Sequence, residues 1–179
     1  MKRARFSVVR FICMAALLTA GSLEAQQPST HATAPIPPAL LTAKKVFVSN
    51  AGSDHGLFPH PFSGDPDRAY NEFWMDLQSM GRYELVTDPA SADLVFELRL
   101  QAPNGPANAD KTKGASDPLP MFRLAIYDRR SHYVLWALTE SIESANLQKT
   151  HDHNFDIALS TLVDDVKRLT APAAPAGHP

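Results

Sequence analysis

Cysteine is all but missing from this sequence. Cys13 is the single one in 179 residues, and it precedes every segment that reads as folded. The domain beyond it therefore has no disulfide, no thiolate nucleophile and no cysteine metal site to build on. Long apolar runs are missing too. The longest, residues 11–20, stops at Arg10 and falls short of the roughly 20 residues needed to cross a bilayer. Neither a Gly-x-Ser-x-Gly elbow, nor a Gly-x-Gly-x-x-Gly turn, nor a Gly-Lys-Ser/Thr phosphate loop occurs, which leaves an elbow-type hydrolase and nucleotide binding without support. A strong charge of one sign is also lacking. The formal net charge is −2, so there is no electrostatic footprint for broad nucleic-acid binding.

What is present first is an address. Lys2, Arg3 and Arg5 open the chain, the apolar stretch 11–20 follows, and small residues around Ser22 and Ala25 suit cleavage. Residues 1–25 read as a signal peptide for export to the periplasm or beyond. Cys13 lies inside the apolar stretch rather than after it, so lipid attachment is not expected. Removing these residues takes away four bases (Lys2, Arg3, Arg5, Arg10) and one acid (Glu24). Thirteen basic and 18 acidic residues remain, a mature charge of −5. Residues 26–43, rich in Gln, Pro, Ser, Thr and Ala, read as a flexible linker, and 171–179 as a disordered tail of the same character. A single domain is expected over 44–170.

The periodicities within it are readable. Residues 45–50 form a β-branched and aromatic strand stopped by Ala51-Gly52. Tyr70, Phe73, Trp74, Leu77 and Met80 make one helical stripe ending at Gly81. Residues 83–86 are a short strand. In 93–100, Leu94, Phe96, Leu98 and Leu100 alternate against Val95, Glu97 and Arg99, a strand with one buried and one wetter face. Residues 101–120 break the pattern at a length uncommon for loops inside compact domains. Two more strands, 121–127 and 133–142, flank a hairpin turn at 128–132. A last helix is expected over 154–169, capped by Asp152 or Asn154. The order β-α-β-β-β-β-α predicts an α+β fold, a two-layer sandwich with two helices on one face of a five-stranded mixed sheet.

Few residues invite chemistry. His151 and His153 flank Asp152, and imidazole beside carboxylate suits zinc or copper. His55 and His60, in the loop after the first strand, are the other candidate ligands. The same segment reads equally as a polar approach to the last helix. The 52–64 loop runs from strand to helix, where α/β proteins often hold small ligands. Trp74 and Trp136 fall on inner faces. Glu97 and Arg99 share the outer face as an exposed pair. No catalytic residue and no cofactor is expected.

Residues 70–81 leading into Tyr83-Glu84-Leu85-Val86, then Ala92-Asp93-Leu94-Val95, the hairpin turn, and Val134-Leu135-Trp136 together resemble a class of bacterial envelope modules. The amino-terminal domain of TolB and the α/β domains of curli-secretion-type lipoproteins belong to that class. The resemblance implies an interaction module in the periplasm or outside the cell. Taken with the export signal, the missing catalytic motifs and the mild charge, the expectation is a non-enzymatic module with another envelope protein as partner, no nucleic acid, and no transmembrane segment in the mature chain.

Overall fold

A computed structural model describes residues 34–103 and 119–171. Two helices and a five-stranded mixed sheet make up its body, as the element order predicts. Strand β1 (Lys45–Ser53) leads to helix α2 (Arg68–Met80), the two-residue strand β2 (Glu84–Leu85), a 3-10 turn at Pro89–Ser91, and strands β3 (Leu94–Gln101), β4 (Met121–Asp128) and β5 (Val134–Ser141). Helix α3 (Gln148–Leu169) closes the domain. The sheet runs β2-β1-β3-β4-β5. β1 is parallel to β2 and β3, while the β3–β4 and β4–β5 pairs are antiparallel.

The alternating residues do what their period demands. Val46, Val48, Leu94, Phe96, Leu98, Leu100, Phe122, Leu124 and Ile126 all point to one face and are buried. Onto that face α2 presses Phe73 and Leu77, and α3 presses Phe155, Leu159, Leu162 and Val166. Trp74 and Trp136 are half-buried and pack against this core. Gly81 ends α2 in the left-handed region at φ 66°, where a glycine carries no Cβ penalty.

Three local expectations are revised. The stretch 26–43 contains a short helix, α1 (Pro38–Thr42), whose Leu40 is fully buried in the core. Arg82 holds it by donating to the Leu41 and Ala43 carbonyls. The last helix begins at Gln148 rather than 154, so His151-Asp152-His153 is helical and Asp152 does not cap it. Glu97 and Arg99 do not pair with each other: the Tyr127 hydroxyl donates to Glu97 at 3.2 Å, and Arg99 donates to Asp54 at 2.7 Å. Residues 1–25, most of the 101–120 break and the tail beyond 171 lie outside the described residues.

Candidate functional site

Among the described residues, the helices cover only one face of the sheet. The register aligns the other face into rows. Phe47, Val95, Tyr127 and Val134 lie side by side across β1, β3, β4 and β5. The next row is Ser49, Glu97, Ala125 and Ala137. Beyond it Arg99 stands directly opposite Arg123, with Thr139 alongside. An apolar and aromatic row therefore lies at one end of this face and a pair of like charges toward the other, with a mixed row between them.

The local chemistry of this face is defined. Like charges directly opposite on neighbouring strands repel. Asp54, at the end of β1, relieves one of them: it binds Arg99 and also accepts the Ala102 amide at 3.0 Å. Those bonds, the Arg99 one foremost, hold the Asp54 carboxyl below its ordinary pKa. Arg123 has no ion-pair partner among the described residues. Burial raises the pKa of the Tyr127 phenol, and the neighbouring Glu97 carboxylate pushes it the same way. Tyr127 therefore stays a neutral donor across the physiological range.

A second cluster joins the loop after β1 to α3. Arg68, whose side chain is 16% exposed, donates to Glu72 at 2.8 Å and to Asp152 and Asp156 at 2.7 Å each. It also donates to the Ser63 carbonyl at 3.1 Å, and its guanidinium lies 4.3 Å over the Phe155 ring. Asp152 accepts the Ser63 amide at 2.9 Å as well. Burial works against the Asp152 charge, but the Ser63 amide and Arg68 outweigh it and keep the carboxyl below the usual range. The arrangement is a charge-assisted clasp. Phe58 and Phe62 of the loop stack against Phe155, so the clasp roofs an aromatic cluster.

The histidines fall around this clasp. His151 sits half-buried on the first turns of α3, edge-on to Phe62 with centroids 6.1 Å apart. His153, two residues on, is exposed; residues at this spacing in a helix do not share a face. His55 and His60 are exposed in the loop. Among the described residues no three His, Cys, Asp or Glu side chains are grouped as a metal would need. The glycine-bearing loop is thus brought against α3 through Phe62, which meets Phe155 and the His151 ring, and through Ser63, which meets Asp152; His55 and His60 stand apart from that contact. Arg68 carried no signal in the sequence beyond its position at the head of a helix. Its two partners on α3 lie 84 and 88 residues away, a distance no local pattern spans, while Glu72 is a local i,i+4 neighbour.

No described helix is long and apolar enough to cross a membrane. No family model matches the chain, and no curated protein does. Solved structures do. A PelC dodecamer from Paraburkholderia phytofirmans is 14% identical, with 72% of this chain and 88% of that one covered and a TM-score of 0.40. A DUF330 protein from Xanthomonas campestris is 11% identical over 72% and 82% of the two chains, with a TM-score of 0.41. A lipoprotein from Neisseria meningitidis is 12% identical over 70% and 99%, with a TM-score of 0.34. These are similarities of chain course alone, and the functional reading rests on this chain's own residues.

Proposed function

We propose that this protein is an exported, non-enzymatic interaction module of the bacterial cell envelope or periplasm, which binds another envelope protein across the bare face of its sheet. The observation that supports this is the Phe47–Val95–Tyr127–Val134 strip, with the Arg99–Arg123 pair two rows further along the same face. Apolar and aromatic area supplies affinity at a protein interface, and a charge at its rim supplies orientation. Arg123 asks for a carboxylate from the partner. The basic, apolar start of the chain supports export.

Photo-crosslinking in cells tests the reading. A crosslinker placed at Val95 or Arg123 is expected to trap one discrete partner, and one at Ser160 on α3 is expected to trap none. Adducts arising from α3 alone, or turnover of a substrate by the purified protein, would overturn it.

A second reading has one observation in its favour. The 52–64 loop packs onto the turns of α3 that carry His151, through the Phe62–His151 contact. A metal or small ligand held there by the loop and the His151/His153 segment, with His55 or His60 contributing, would appear as near-stoichiometric zinc or copper on elemental analysis. The metal would be lost in a His151→Ala, His153→Ala variant. A metal-free wild type of equal stability removes that reading.

A further inference from the structure

The two edges of the sheet are unlike. At one, β2 is only two residues long, and short edge strands are a common defence against further pairing. At the other, β5 runs for eight residues, Val-Leu-Trp-Ala-Leu-Thr-Glu-Ser, with no proline, no lysine and one charge, Glu140. The Ile142 amide donates to Pro120, on the β4 side. By the two-residue period of an antiparallel strand, Ala137, Thr139 and Ser141 direct their N–H and C=O groups away from β4. All three are exposed. Among the described residues, a row of backbone donors and acceptors is thus left facing outward.

Two features say what fits it. The first is charge. Arg129 and Arg130 lie in the turn at the start of β5, and Glu140 and Glu143 lie at its end. An antiparallel copy of the same strand sets the basic end of each against the acidic end of the other. A parallel copy would set like against like. The second is apolar surface beside the edge. Ile157 on α3 is 51% exposed and shares a groove with Glu140 and Ser141. A two-fold axis on this edge brings Ile157 to its own copy.

We infer that β5 is the interface of a two-fold symmetric dimer, in which β5 pairs antiparallel with β5 of a second copy to give a continuous ten-stranded sheet. Centring the pair on Leu138 sets Ala137 opposite Thr139 of the second copy and Glu140 opposite Trp136. Centring on Glu140 would oppose two carboxylates and is disfavoured. The contact is isologous, so it closes at two. It leaves the Phe47–Val95–Tyr127 part of the bare face free, and it stands or falls independently of the envelope partner.

Sedimentation velocity on the purified protein tests the inference. The wild type is expected to sediment as a dimer that dissociates on dilution. Thr139→Pro removes an outward N–H without touching the β4 ladder, and is expected to be a monomer with an unchanged far-ultraviolet spectrum. Arg130→Glu and Glu143→Arg each reverse the charge of one end of the strand and are expected to weaken the dimer about two- to fourfold, and the double variant to restore it. A monomeric wild type, an assembly larger than two, a dimeric Thr139→Pro, or a double variant no tighter than the singles would overturn the proposal. If Thr139→Pro fails to fold, the charge swap decides.

Discussion

Replacing Arg68 by alanine isolates the contribution of the clasp. The guanidinium serves three carboxylates and one carbonyl while stacking on Phe155. Hydrogen bonds to charged groups contribute about 1.5–3 kcal/mol each where sheltered. The contacts are unequal, however. Asp156 is 56% exposed, so its bond is screened and counts for less than about 1 kcal/mol. Asp152, at 22%, is the sheltered acceptor, and it keeps the Ser63 amide when Arg68 is gone. Stacking on Phe155 adds about 0.5–2 kcal/mol. Because the contacts share one side chain, they do not add in full, and the expected cost of Arg68→Ala is about 2–4 kcal/mol. Arg68→Lys recovers little of it, since one ammonium cannot reproduce the fork.

Urea unfolding is the assay, read as a shift in midpoint at unchanged slope. Acid supplies an internal control. The folded Asp152 has a pKa below that of the unfolded chain, so its stabilisation is present above about pH 4 and fades as pH falls through the unfolded value toward the folded one. The gap between wild type and Arg68→Ala must therefore narrow below about pH 4. A variant within about 0.5 kcal/mol of wild type at neutral pH, or a gap that does not respond to acid, would refute the assignment of Arg68 as the clasp.

Three further outcomes follow from single contacts. Gly64→Ala is expected to cost about 1–2 kcal/mol by urea unfolding, because φ there is +95° and the new Cβ would meet Arg68 Cδ at 3.3 Å; combined with Arg68→Ala the two losses should be less than additive. Asp93→Ala leaves the Lys44 and Lys45 amides without the carboxylate oxygen that accepts both at 2.9 Å, with an expected loss of about 1–2 kcal/mol and faster hydrogen exchange at the start of β1. Asp76 has its pKa raised by burial alone, so its charge opposes folding above the unfolded pKa. Asp76→Asn is expected to raise the melting temperature slightly at pH 7 and to leave it unchanged near pH 3.

The layers were legible because each helix carries one apolar stripe and β3 alternates without a fault from Leu94 to Leu100. Those signals are local and strong, and the half-buried Trp74 and Trp136 followed from the same faces. The departures share a cause. Pro-Ala-Leu-Leu-Thr of α1 is too short to show a period, and only Leu40 seated in the core makes it part of the fold. The first turns of α3 are polar and have no side-chain cap; what holds them is Arg68 and Ser63 on a distant segment. Glu97 and Arg99 share a face as expected, but Tyr127 and Asp54 reach them first. The bare face was foreseeable as the wetter side of β3. Its rows were not, since they depend on the strand order β2-β1-β3-β4-β5.

The position of β1 between β2 and β3 has a consequence for how the chain is made. It is the first strand to be synthesised, yet its long parallel neighbour β3 follows far behind: the Lys45 amide waits for Asp93, 48 residues later. Until then only the two-residue β2 can pair with it, so the nascent segment has its greasy Val46 and Val48 without a lasting shelter. Loop closure over that span precedes any reward from contact. Assembly must therefore be a late, concerted event, and a holding factor acting on the growing chain would find its target in the stretch that ends up enclosed between two parallel neighbours.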